Sequence, residues 1–282
     1  MVETFIPKSK EEALRFLDQR KCVILAGGSN LMVKTKKWSE GVSDFESDII
    51  LIKHLQEIKK IKTNNKYLSI GAGCTLTELQ ESKLLPIYFK KVILSMASTA
   101  IRNIATIGGN VCNEASESEI YPLLYALDAV LIIECLNGTR EIAISDFILG
   151  PGKKDLKAFE LLVEIRIPSN NFIKFYYKKV GAKKSISVAK ASFVGFYILE
   201  QGRIVDVRMA FGTPKSKVVR SIELENSLKG LNKEEVEIIL KDMEKEYVKI
   251  IADIDDEKST AKDRKETCLS FMKEFLGSIY TS

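Results

Sequence analysis

Histidine and tryptophan are nearly absent from this 282-residue sequence, which has one of each, His54 and Trp38. A single imidazole excludes histidine-rich metal sites and constrains catalysis by a histidine base. His54 directly follows the apolar run IILIK, which places it at the surface end of a strand. The cysteines (Cys22, Cys74, Cys112, Cys135, Cys268) are odd in number and form no CxxC pair. That pattern argues against a disulfide framework and against an intrinsic zinc or iron–sulfur site. Apolar runs reach only strand length, far short of the ~20 residues of a membrane helix, and MVETFIPKSKEE carries charge too early for a secretory signal. A reduced, soluble, cytoplasmic protein is expected.

Charge of one sign is also in short supply, with 43 Lys plus Arg against 38 Asp plus Glu for a net of +5. The stretch Gly230–Ser282 holds 9 basic and 13 acidic side chains, so the residues before it carry the whole excess. A mild, dispersed excess suits an anionic ligand better than duplex DNA, which calls for a concentrated basic face. Ordinary core material is plentiful, at 45% hydrophobic and 29% charged, and the length is that of two domains at ~150 residues each.

Ser9 and Glu12 form a capping box ahead of Ala13, Leu14 and Leu17, predicting a helix over Lys10–Arg20. A short strand, Val23–Ala26, runs into Gly27-Gly28 and a second apolar element at Leu31–Val33; strands are predicted at Asp48–Lys53 and Tyr67–Ile70, and a helix at Leu76–Glu81. A helix over Tyr88–Ala97 empties into a long polar, glycine-rich loop, Ala97–Asn113, of the kind usually kept for function. A helix at Pro122–Leu127, a buried strand AVLIIECL, a turn at Asn137-Gly138, a return strand Glu141–Ile144 and the strand Leu161–Ile167 follow. The texture changes after Pro168 to a meander of Phe172–Lys178, Val188–Leu199 and Ile204–Gly212. Helices at Val218–Leu228, Lys233–Lys249 and Thr260–Leu276 close the chain, the last two joined by the charged linker Asp253–Lys258. The alternation is α/β or α+β, with a domain boundary near Pro168.

Two glycine pairs stand out, Gly27-Gly28 and Gly108-Gly109. Paired glycines permit positive φ and close backbone approach, and consecutive amides form an anion-binding nest, although such turns also serve purely structural ends. Ser29, Asn30, Thr106 and Asn110 add side-chain donors. Neither loop matches the Rossmann GxGxxG or the P-loop GxxxxGK[ST] pattern.

AGGSNL (Ala26–Leu31), RNIATIGGN (Arg102–Asn110), ELLVEIRIP (Glu160–Pro168) and KVGAKKSISVAKAS (Lys179–Ser192) occur in that order. Together they resemble the FAD-binding, or medium, subunits of the molybdenum hydroxylases, the xanthine, nicotinate and carbon monoxide dehydrogenase group. GTPKSKVVR (Gly212–Arg220) and STAKDR (Ser259–Arg264) are similar to the C-terminal domain of those subunits, so the likeness spans nearly the whole chain. The resemblance implies an α+β architecture. A vanillyl-alcohol-oxidase-type (PCMH-type) FAD-binding domain over 1–170, with subdomains of about 1–55 and 56–170, precedes a smaller α+β domain over 171–282 built of an antiparallel sheet and helices. It places the FAD diphosphate at Ala26, Gly27, Gly28, Ser29, Asn30 and Leu31, and at Thr106, Ile107, Gly108, Gly109 and Asn110. It sets Leu162 against the flavin and Lys179 near its polar edge. On composition alone, Leu162 reads as core and Lys179 as solvated surface. The family's usual Ser-Pro and following Asp are here Ala115, Ser116 and Glu119; Glu119 keeps the carboxylate with one more methylene.

The function implied is electron transfer: FAD takes electrons from the [2Fe–2S] clusters of a small partner subunit and passes them to NAD⁺ or another acceptor, while a large partner subunit carries the molybdenum cofactor. No residue of this chain is then expected to be catalytic or to bind metal. AGGSNL is shared with UDP-N-acetylenolpyruvoylglucosamine reductases, which supply the alternative of a stand-alone flavoenzyme; a flavin-free assembly subunit is the other. The C-terminal helices serve either their own core or a partner interface. On the diphosphate reading, Gly108→Val abolishes FAD binding while leaving the fold soluble.

Overall fold

The structure is a computed structural model. It describes residues 2–37, 42–43, 45–113, 118–150, 152–170, 172, 174–181, 189–213, 217–251 and 260–281. The expected departures at Ala115 and Ser116, the linker 253–258, Trp38 and the 182–188 stretch lie outside these residues. The chain divides into two compact units, 1–114 with 128–169, and 115–127 with 170–282.

The two larger sheets of the first unit share one core. A parallel sheet orders its strands Thr4–Phe5, Ile49–Leu51, Val23–Leu25. An antiparallel sheet runs Ile61–Thr63, Tyr67–Gly71, Leu161–Pro168, Val130–Cys135, Gly138–Ala143. The helix Lys10–Gln19 starts where Ser9 accepts from the Glu12 amide, but the Glu12 carboxylate reaches back to Lys8 N–H, one residue before the capping-box position. Its buried stripe of Ala13, Leu14 and Leu17 packs with Ile50 of the parallel sheet, with Ile52 just past it, and with Ile132, Leu161 and Val163 of the antiparallel one. Burying this stripe on both sheets stabilises each leucine by ~1.5–3 kcal/mol relative to exposure. His54 is exposed past the strand end, its Nε2 at 2.6 Å from Pro7 O.

The predicted loop Ala97–Asn113 is instead two short helices, Thr99–Arg102 and Ile107–Cys112. Their signals are capping side chains: Ser98 accepts from Ile101 N–H and Thr106 from Gly109 N–H. Two glycines and the lack of a long apolar stripe hide both helices from pattern reading.

In the second unit an antiparallel sheet of Lys174–Gly181, Ala189–Glu200 and Arg203–Gly212 lies between two helical layers. Alternation sorts its side chains. Phe193, Tyr197, Val207, Met209 and Phe211 pack with Tyr247 of the helix Lys233–Ile250 and with Met272 and Phe275 of the helix Ala261–Ser278. The opposite face receives the wholly buried helix Tyr121–Ala126. The two long helices therefore bury their apolar stripes in their own unit. Only Ile222–Ser227 of the predicted helix Val218–Leu228 is helical, because Val219 pairs with Phe211 and Ser221 begins the helix.

Candidate cofactor-binding site

The first glycine segment leaves the strand Val23–Leu25 and enters the short helix Leu31–Lys34. Gly28 has φ +71, a conformation glycine adopts without strain. A Cβ on Gly27 would lie 2.0 Å from Ile104 O, so the two glycine segments touch at a point only glycine permits. Among the described residues, the amides of Gly27, Gly28, Ser29, Asn30 and Leu31 donate to no protein acceptor. The Asn30 side chain makes no capping bond. These half-buried consecutive N–H groups form a ready anion site.

The second segment is built differently. Ile107 N–H donates to Cys74 O at 2.9 Å, Gly108 N–H to Ala72 O at 2.8 Å, Gly109 N–H to Thr106 Oγ1 at 3.1 Å and Asn110 N–H to Thr106 O at 2.9 Å. Leu76 N–H returns a bond to Ala105 O. The segment is thereby bolted to the Gly71–Thr75 turn, and a Cβ on Gly108 would meet Ala72 Cβ at 2.6 Å. Its amides are spent, so the nest expected at Gly108-Gly109 is absent. What this segment brings is a rigid surface and the Ile104 carbonyl that backs Gly27. Cys112 ends the helix, and burial pushes its thiol up to about 12, which keeps it protonated at neutral pH.

Glu119 and Lys179, expected from separate parts of the sequence, come together in the second unit. Lys179 Nζ lies 2.9 Å from Glu119 Oε1, and the carboxylate is buried at 9% exposure. Tyr177 Oη stands 3.5 Å from Glu119 Oε2. Tyr177, Lys179 and Phe175 share one face of their strand by period-2 alternation, and the rings of Phe175 and Tyr177 stack. Sequence reading missed Tyr177, whose only signal is its spacing from Lys179. Leu162 belongs to the first unit, where it is buried, pairs with Ile133 and sits at a bulge before Glu164. Val163, within that bulge, accepts from Ala72 N–H at 2.9 Å, tying the strand to the turn that carries Gly108.

Arg102 is a further residue whose structural part in its run sequence reading missed. Its guanidinium, 8% exposed, donates to Met96 O, Ala97 O and Thr99 Oγ1 at 2.8–3.0 Å, bracing a turn in which Ala97 has φ +43.

A family profile described as "FAD binding domain in molybdopterin dehydrogenase" matches residues 1–170. The glyceraldehyde dehydrogenase medium chain of Sulfolobus acidocaldarius is 32% identical over 231 residues, 79% of each chain. The chain belongs to this family. The nicotinate dehydrogenase FAD-subunit of Eubacterium barkeri is 30% identical over 66% of this chain and 65% of its own. Among solved structures, reconstituted CO dehydrogenase from Oligotropha carboxidovorans superposes with a TM-score of 0.87 at 21% identity, covering 97% of this chain and 96% of that one; it carries the fold. This member of the molybdenum hydroxylase flavoproteins is an α+β, FAD-binding oxidoreductase subunit. The stand-alone reductase and flavin-free readings give way to that membership. Its residues fit the cofactor: five amides in a row with no acceptor among the described residues, and a glycine contact without room for a side chain, suit a dinucleotide diphosphate. No helix among the described residues is long and apolar enough to cross a membrane.

Proposed function

We propose that this chain is the electron-transferring medium subunit of a complex with a small subunit carrying [2Fe–2S] clusters and a large subunit carrying the molybdenum cofactor. Electrons pass from the clusters through FAD to NAD⁺ or another acceptor, and substrate chemistry belongs to the large subunit. The observation that carries this reading is the run of amides at Gly27–Leu31 with no acceptor among the described residues, on a loop held by Ile104. Bound FAD supplies the exchange between single-electron donors and a two-electron acceptor.

The chain's own residues bind and orient. The amides from Gly27 to Leu31, with Ala26, Ser29 and Asn30 beside them, take the diphosphate charge. Thr106, Ile107, Gly108, Gly109 and Asn110 form the rigid wall opposite. By the family resemblance, Leu162 of the first unit is assigned to the flavin's apolar face, and, within the second unit, Glu119 and Lys179, held to each other at little net charge, are assigned to its polar edge. A paired cation keeps its position without leaving an isolated buried charge, which is costly.

The test is an absorbance spectrum of the purified chain, before and after incubation with excess FAD and desalting. A retained flavin spectrum, with FAD identified on release, is expected. In the co-expressed complex, NAD⁺-dependent reoxidation of the reduced flavin follows. A complex that purifies with its partners and holds no flavin would falsify the reading.

A further inference from the structure

The helix Tyr121–Ala126 begins two residues after Glu119 and is gripped at both ends, by the strand Arg203–Gly212 and by Arg220 beyond that strand. At its far end, Arg220 Nη1 donates to Tyr125 O and Arg208 Nη1 to Ala126 O, the latter at 2.9 Å. The last carbonyls of a helix have no partner within it and carry the negative end of its dipole, so two guanidinium groups suit them. Arg220 is itself fixed: its Nε and Nη2 donate to the two oxygens of Glu225 at 2.9 and 3.0 Å, and Glu225, 2% exposed, also accepts from Met209 N–H at 2.7 Å. At the near end Gly212 lies beneath Pro122, where a Cβ would approach Pro122 Cγ to 2.7 Å. Gly212 pairs with Ser192, and Ser192 pairs with Lys179, so one register row across three strands runs from beneath Pro122 to Lys179.

We propose that Arg208 and Arg220 are positioning residues for the flavin site, holding the helix Tyr121–Ala126 on its strand so that Glu119 meets Lys179. This rests on the reading that the Glu119–Lys179 pair contacts the flavin. It gives a reason for the passage of 118–127 through the second unit, since the helix that follows the carboxylate rests on the register row that carries the lysine.

Full-length R208M, R208K, R220K, E119Q and the double variant R208M/E119Q are titrated with FAD by flavin fluorescence, and the midpoint potential of the bound flavin is measured. R208M and E119Q are each expected to weaken FAD ~10-fold and to shift the potential in the same direction. The double variant is expected to bind no more weakly than E119Q alone, because Arg208 acts through Glu119. R208K, which keeps a donor for Ala126 O, should recover most of the loss. Fold-losses that multiply in the double variant overturn the proposal, since they make Arg208 a general stabiliser. A weakened E119Q with an unchanged R208M overturns the clamp alone. An E119Q unchanged in both affinity and potential overturns the flavin reading of the pair and the purpose of the clamp with it. R220K, whose single ammonium answers the buried Glu225 carboxylate without the fork that also reaches Tyr125 O, supplies the same comparison if R208M fails to fold.

Discussion

Gly27→Ala isolates the contact on which the proposed diphosphate site depends. The added methyl would sit 2.0 Å from Ile104 O, 2.8 Å from Ile104 C and 3.0 Å from Ala105 Cα, all backbone atoms of a segment bolted to the neighbouring turn. An ordinary carbon–oxygen approach is about 3.3 Å, so one loop must move by roughly 1 Å. Overpacking of this kind costs about 1–3 kcal/mol of stability. On the proposed placement the larger effect falls on FAD, because a 1 Å displacement would carry the consecutive amides away from the diphosphate they would hold. Losing one charge-assisted bond, at about 1.5–3 kcal/mol, weakens binding about 10- to 150-fold in Kd. Gly28→Ala is the control. There the Cβ meets only side-chain tips, Leu25 Cδ1 at 3.2 Å and Met32 Cγ at 3.3 Å, and the cost is mainly the ~1–2 kcal/mol of a non-glycine residue at φ +71. Fluorescence titration of FAD and thermal melting of both variants decide the matter. A Gly27→Ala chain that melts earlier yet binds FAD with wild-type affinity refutes the placement of the diphosphate on this loop.

Arg102→Met removes every donor from Met96 O, Ala97 O and Thr99 Oγ1 and should cost ~2–4 kcal/mol, lowering Tm by about 5–15 °C; a shift under ~2 °C shows that the turn holds itself. Tyr247→Phe deletes a buried hydroxyl with no hydrogen-bond partner among the described residues, so it should leave stability unchanged or raise it by up to ~1 kcal/mol in urea denaturation, and a loss above ~1 kcal/mol contradicts this. The Arg140 guanidinium holds the Glu160 carboxyl below its ordinary 4.5, so the native state favours the ionised form. The stability this contributes is present above pH 4.5 and is lost as pH falls through the depressed value. Glu160→Gln should therefore show a flatter acid limb than wild type in melts between about pH 5 and 3, and parallel limbs count against the assignment.

Strand alternation and helical stripes make most elements legible. The helix Lys10–Gln19 and the three-strand meander fall close to their predicted bounds, because each buries a regular apolar pattern. The stretch 97–113 reads as loop because its helices are one turn long and rest on Ser98 and Thr106 caps and on the Gly71–Thr75 turn, contacts that no local periodicity encodes. Glu119 and Lys179 are legible singly, but not as a pair, since the ion pair that joins them spans 60 residues of sequence. Gly108→Val looks from sequence like a probe of the cofactor. Against Ala72 Cβ at 2.6 Å it is a probe of packing.

The packing at Gly108 bears on how the whole run Arg102–Asn110 works. Arg102 is engaged with the Met96–Thr99 turn, Thr106 caps its helix and bridges Thr75, Gly108 is pressed on Ala72, and the amides from Ile107 to Asn110 are all bonded within the protein. Nearly every polar group of the run through which the chain resembles its family is committed to architecture. What the run delivers is the Ile104 carbonyl, fixed where Gly27 can close on it, beside five amides that have no acceptor among the described residues. On the proposed placement of the diphosphate, hydrogen-bond accounting divides the labour: the segment whose amides are bonded within the protein positions, and the segment whose amides have no acceptor among the described residues binds. Substitutions in Arg102–Asn110 should therefore lower FAD affinity in proportion to lost stability, whereas substitutions in Gly27–Leu31 that keep the fold should lower affinity without it.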